Sequence, residues 1–200
     1  NKRKQTTWIP STSKNREGEQ FVSLKELTYE HHRNAERQKF VKTLMGGSIP
    51  PKVYAEFLYN QYVAYNILEV CAMAEGVLND LPDIRRAPKI LEDFQELWGK
   101  DAEPPKPKPS IQKYVDHIMS IKEDPEKLMA HIYTRHMGDL SGGQMIKKRI
   151  PGEGRLYMFT DPDNLKTAIR SKLNDNMADE AKICFEYATE LFKEMHNETE

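Results

Sequence analysis

Two stretches of this 200-residue chain hold residues whose types and spacing could do chemistry. In the first, Thr28-Tyr-Glu-His-His-Arg-Asn-Ala-Glu36, His32 and Glu36 lie four apart. On a helix the carboxylate then reaches one imidazole nitrogen. That bond would fix the tautomer and leave the other nitrogen for a metal. Lys25 lies two turns earlier on the same face, together with Tyr29, and can meet an anionic group. His31, rotated by about 100°, falls with Leu24, Leu27 and Ala35 and reads as a partly buried spacer. A solvated helix face carrying a His–Glu pair accounts for the same spacing.

In the second stretch, His131-Ile-Tyr-Thr-Arg-His-Met-Gly-Asp-Leu-Ser-Gly-Gly-Gln144, glycines occupy a strongly helical context. Each interior glycine costs roughly 1 kcal/mol relative to alanine, so Gly138, Gly142 and Gly143 need a reason. Gly138 and Gly142 are four apart and expose a strip of bare backbone in one direction, against which a flat, rigid ligand can lie. Arg135 and Asp139 flank that strip, and Asp139 is placed to organise water near a metal. A close helix–helix contact or a Gly-Gly break accounts for the glycines equally well. Lys166 and Arg170 form an i,i+4 basic pair that suits carboxylates or simply a solvated face. Tyr59, Tyr62 and Tyr65 read as core and rim packing.

These residues must be positioned by helices. Ser23 and Glu26 have capping-box spacing, and the pattern predicts a first helix to about Met45, stopped by Gly46-Gly47 and Pro50-Pro51. A second is predicted over 51–78, with Tyr54, Leu58, Tyr62, Tyr65 and Glu69 at helical steps. A third carries Ile90, Leu91, Phe94, Leu97 and Trp98. A fourth runs from Ser110 through Ile118, after a proline-rich loop. Asp124-Pro125 is an N-cap with proline at the first helical position, opening a fifth helix to about Ile150. Asp163 caps a last helical region to about Met195, with an interruption expected at Asn174-Asp175-Asn176. Tyr157-Met-Phe-Thr160 is too short to carry a sheet. The expectation is an all-α, single-domain multi-helix bundle over 21–200, preceded by a polar, flexible arm over 1–20.

A hydrophobic content of 38% with 30% charged residues is a soluble globular balance. The formal charge of −1 gives no global attraction to nucleic acid. Cys71 and Cys184 lack metal-type spacing and read as reduced apolar residues of an intracellular protein. No stretch approaches the roughly 18–20 apolar residues of a membrane span, and the polar start and end predict neither signal peptide nor membrane anchor. The expected location is cytoplasmic.

The run Tyr133-Thr-Arg-His-Met-Gly-Asp-Leu-Ser-Gly-Gly-Gln144 resembles the distal-helix signature of the heme oxygenase family. The stretch Thr28 to Glu36 resembles its proximal helix, in which His is followed by two residues and then Ala-Glu. Asn164-Leu-Lys-Thr-Ala-Ile-Arg-Ser-Lys-Leu173 is similar to its last helix, and the likeness covers roughly 21–195. The resemblance implies heme b as both cofactor and substrate, held between the first and fifth helices. It implies His32 as the iron ligand with Glu36 as its partner, and Gly138 and Gly142 as backbone against the porphyrin. Asp139 would anchor a distal water network with Arg135, Tyr62 and Tyr114. Lys25, Tyr133, Lys166 and Arg170 would contact the propionates, and Phe185 a pocket wall.

Ring opening to biliverdin, as the IX-alpha isomer, with release of CO and iron is the implied activity. It consumes O2 and needs electrons from a partner such as ferredoxin, since the sequence has no flavin or nicotinamide motif. Two departures stand out. Tyr29 replaces an often basic residue near the propionates, and His136 replaces a commonly aromatic one, with no role derivable from the sequence. Two rival readings are a carboxylate-bridged di-iron enzyme and a heme carrier or sensor. The first is disfavoured because no histidine has a glutamate three residues before it. The second would not need the Gly-Asp-Leu-Ser-Gly-Gly segment.

Overall fold

Proline and glycine punctuate the chain, and helices fill the intervals. A computed structural model describes residues 23–197, so the expected arm over 1–20 lies outside the described residues. Among the described residues there are ten α-helices and no strand: α1 (Leu24–Leu27), α2 (Tyr29–Glu36), α3 (Lys39–Gly46), α4 (Pro51–Ala74), α5 (Ala87–Trp98), α6 (Pro109–Ser120), α7 (Pro125–Leu140), α8 (Gly143–Lys147), α9 (Pro162–Ser171) and α10 (Ala178–His196). Two short 3-10 turns, Arg155–Tyr157 and Asp175–Met177, precede α9 and α10.

Several boundaries follow from capping chemistry. Ser23 Oγ accepts from the Glu26 amide at 3.3 Å, and Asp124 Oδ1 accepts from the Lys127 amide at 3.1 Å, with Pro125 at the first helical position. Five helices carry proline in the first turn, where the missing N–H is not needed.

Other expectations are corrected. The single first helix is three: the buried Thr28 bonds back from Oγ1 to the Leu24 carbonyl at 2.9 Å, and the chain turns again at Arg37-Gln38. The second helix stops at Ala74, before Gly76 with its positive φ of 73°. The fourth opens at Pro109, not Ser110. The fifth ends at Leu140, and a break at Ser141-Gly142 separates it from the short α8. The last region has Asp161 at its N-cap position, without a side-chain capping bond, and Pro162 at the first helical position, so Asp163 lies inside the helix; the region divides at Asp175–Met177 as expected.

The core is built around α4, which packs against α5, α6 and α7, while α10 packs against α2, α3, α6 and α7. Leu58, Leu68, Ile90, Ile118, Leu128 and Ile132 are fully buried at these junctions. Burying a Leu or Ile side chain is worth about 1.5–3 kcal/mol.

Glu69, His136 and Arg86 are polar residues inside this core that find partners. Glu69, fully buried on α4, accepts from the Arg86 amide at 2.6 Å and the Ala87 amide at 2.9 Å, satisfying two amides at the start of α5. It also meets His136 Nε2 at 2.7 Å, while His136 Nδ1 lies 3.0 Å from the Ile132 carbonyl. The departure noted at His136 is therefore a buried tie between α7 and α4. The buried Arg86 donates to the carbonyls of Asp83, Leu156 and Met158, fastening the 155–158 segment to the front of α5.

Candidate functional site

One cavity of about 410 Å³ opens between α2, the α7–α8 break and α10. Its size falls within the roughly 300–1,000 Å³ of small-molecule sites. The wall from α2 presents His32 and Glu36. His32 Nε2 lies 2.8 Å from Glu36 Oε1, as their spacing predicts. The hydrogen bond from His32 holds the Glu36 carboxyl below its ordinary range against the opposing effect of burial. The imidazole stacks on Phe185 of α10, with ring centroids 5.2 Å apart and planes at 24°. His31 points elsewhere, its Nε2 lying 3.2 Å from Glu186 Oε1 on α10.

The α7–α8 wall is glycine. Among the described residues, a Cβ placed on Gly138 would meet nothing within 4 Å, and one on Gly142 would come only within 3.8 Å of the Gly138 carbonyl. Neither has a positive φ. Packing and backbone conformation within the chain therefore require neither glycine, although Gly138 carries the helix penalty of roughly 1 kcal/mol. What both do is leave backbone bare toward the cavity. Gly143 differs: a Cβ there would lie 2.5 Å from the Tyr157 ring, so its reason is close packing. Cavity-facing backbone and a structural break, both open from sequence, occur together within six residues.

Asp139 lines the cavity beside Gly138 and is buried. The Tyr65 hydroxyl donates to its Oδ2 at 2.6 Å. Burial pushes the Asp139 carboxyl up to about 6, against the lowering effects of His136, the Tyr65 hydrogen bond, Arg86 and Arg135. Burial and the Asp139 charge in turn raise the Tyr65 hydroxyl well above its ordinary range.

Arg135, also buried in this wall, donates from Nε to the Tyr114 hydroxyl at 3.0 Å, and its guanidinium sits 4.3 Å from the Tyr114 ring centre. Its Nη2 has no hydrogen-bond partner among the described residues. A buried guanidinium with a spare donor at a cavity wall suits an oxygen ligand or ordered water.

Of the expected network, Arg135 and Tyr114 are joined as described. Tyr62 is not beside Asp139: it packs on Tyr59, with ring centroids 6.1 Å apart, and Tyr65 takes the place assigned to it. Three residues on a helix differ by only about 60° in direction, so spacing could not choose between Tyr62 and Tyr65.

Lys25 and Tyr133 line the cavity, whereas Lys166 and Arg170 lie outside its wall on α9. Arg170 is nonetheless close enough for its charge to act on both. It adds to burial in lowering the Lys25 amine, and it opposes burial in the raising of the Tyr133 hydroxyl. Lys25 and Arg170 thus concentrate positive charge near one side of the cavity. A histidine with a carboxylate partner, a bare-backbone strip, a buried donor and nearby cations fit an anionic, metal-centred planar ligand.

The family model described as heme oxygenase matches residues 20–194. The chain belongs to the heme oxygenase family. Heme oxygenase 2 of Rattus norvegicus is 33% identical over 86% of this chain, and the chain spans 64% of that relative's length. The heme oxygenase of Pyropia yezoensis is 31% identical, covering 87% of this chain and 84% of its own. Among solved structures, heme oxygenase-1 of Synechocystis in complex with heme superposes with a TM-score of 0.79 at 28% identity, covering 88% of this chain and 91% of that one. The all-α heme oxygenase fold accounts for the helix order found here. Among the described residues no helix is long and apolar enough to cross a membrane.

Proposed function

We propose that this chain binds heme b in the cavity between α2 and the α7–α8 break and opens it oxidatively to biliverdin, releasing CO and iron. The observation that carries the reading is Gly138, an energetically unfavourable helix residue with an open Cβ position that lines the same cavity as His32. The group supplies both the iron at which O2 is reduced and the ring that is oxidised.

His32 would hold the iron, with Glu36, which lies 2.8 Å from its Nε2, setting the ring's tautomer and orientation. Gly138 and Gly142 let the porphyrin plane approach the backbone and close off other orientations. Asp139, held by Tyr65, positions water on the distal side, and Arg135 offers Nη2 to the same water. The Asp139 carboxylate, acting through water in place of an acid–base histidine, would guide the oxygen chemistry that the heme supplies toward the ring. Lys25, Tyr133, Lys166 and Arg170 take the propionates and so choose which edge that is, here giving the IX-alpha isomer. Phe185 fixes the His32 ring.

Electrons come from a partner, a ferredoxin in a cytoplasmic setting. The test is to add hemin and reduced ferredoxin under air and to identify the bilin by chromatography. Biliverdin IX-alpha from the native chain, with mixed isomers when Lys166 and Arg170 are both alanine, is expected. Tight heme binding without any bilin under several reductants would make the chain a carrier.

A further inference from the structure

Away from the cavity wall, α6, α7 and α10 bring two imidazoles and one carboxylate together. His131 Nε2 lies 2.8 Å from Glu180 Oε1, and His117 Nε2 hydrogen bonds to the same oxygen. The three ligand atoms lie within 4.8 Å of one another. His131 is fully buried, Glu180 is buried, and His117 is half-buried, so solvent reaches the group from the His117 side.

We propose that His117, His131 and Glu180 form a binding site for a divalent first-row transition cation of the zinc or ferrous class, distinct from the heme cavity. Two imidazoles and one carboxylate are a common donor set for such ions, with water completing the shell. The inference does not depend on the heme reading.

The proton arrangement around His131 supports a cation in this place. Its Nδ1 is 2.8 Å from the Tyr114 hydroxyl, which accepts from Arg135 Nε at 3.0 Å and lies 3.9 Å from Cys184 Sγ. In one arrangement Tyr114 donates to Nδ1, and His131 gives its Nε2 proton to Glu180. In the other, Nδ1–H donates to the Tyr114 oxygen and the hydroxyl hydrogen turns to Cys184. Nε2 then carries the lone pair that a cation shared with Glu180 and His117 would take. An oxygen partner on the far nitrogen is the usual device that fixes a ligating histidine. Switching between the two arrangements needs no net gain or loss of protons by Tyr114 and His131.

Glu180 is suited to the role. Its Oε1 faces both imidazoles, 2.8 Å from His131 Nε2 and hydrogen bonded to His117 Nε2.

The experiment is a calorimetric titration of Zn2+ into the heme-free chain after chelator treatment, with Co2+ as an absorption probe. One equivalent should bind. His117→Ala, which removes the half-exposed arm, and Glu180→Gln should each weaken binding by more than the roughly 10–100-fold that loss of an outer-shell partner costs. Both variants are checked for native circular dichroism, and in both the Co2+ ligand-field bands should vanish. His32→Ala must retain the site, since its ligand would lie in the cavity. Overturning results are no saturable Zn2+ binding, unchanged affinity in His117→Ala and Glu180→Gln, or loss of binding in His32→Ala alone.

Discussion

The Tyr65 hydroxyl donates to Asp139 Oδ2 at 2.6 Å and so ties the middle of α4 to the last turn of α7. This bond holds the carboxylate of the glycine wall at a fixed place, and it does so inside a buried setting that disfavours the charge.

The balance predicts a pH dependence of stability. Asp139 rises from 3.8 to about 6 on folding, chiefly by burial. A group raised in the fold contributes stability that is complete below its unfolded value and is lost as pH rises through its folded value. At 1.36 kcal/mol per unit the loss amounts to about 3 kcal/mol. Denaturant melts of the heme-free chain between about pH 4 and pH 7 should show it. Asp139→Asn should lack this loss, and a parallel pH profile in both proteins would refute the assignment.

His32→Ala should bind hemin weakly and lose turnover, with partial recovery on adding imidazole. His31→Ala breaks only a 3.2 Å contact to Glu186 and should leave the heme absorption spectrum in place. The reverse outcome would reassign the ligand.

The two glycine types make opposite predictions. Gly138→Ala meets open space, so the free chain should fold as well or up to roughly 1 kcal/mol better. Its heme affinity should nevertheless fall, because the methyl occupies the cavity. Gly143→Ala drives a Cβ into the Tyr157 ring and should destabilise the free chain by about 1–3 kcal/mol. Thermal melts with and without hemin separate the two effects.

Glu69→Ala should be the most damaging of these changes. It leaves His136 and the Arg86 and Ala87 amides without their shared acceptor in a fully buried site. Breaking a buried pair in this way typically costs about 3–5 kcal/mol. Glu69→Gln, which keeps one acceptor oxygen, should cost less. Equal melting midpoints for the native chain and Glu69→Ala would refute the tie.

Much of this was readable from the residues. α4, α5 and α10 follow from apolar spacing, α7 from Asp124-Pro125, and the His32–Glu36 contact from a single helical turn. What escaped depends on tertiary placement. Nothing local in Thr28 or Arg37-Gln38 forbids a helix, yet the first helix divides there, because Thr28 is buried and turned back onto Leu24. Tyr65 rather than Tyr62 faces Asp139 because of the roll of α4 against α7, which no pattern on α4 alone records. Positions 117, 131 and 180 share no spacing, and only the meeting of three helices makes them neighbours.

The division of the first helix has a dynamic consequence. α2 is eight residues long, hinged at Thr28 and at Arg37-Gln38, and it rests on α10 rather than on α4. A short segment with few partners belongs to the low end of the local-unfolding spectrum. It can tilt as a rigid flap while the α4–α5–α7 body stays closed. Its amides should therefore exchange with deuterium well before those of α4, and a ligand gripped by His32 should slow that exchange most. Under the proposed function, heme would enter and the opened product would leave by movement of two turns of helix, without melting the core.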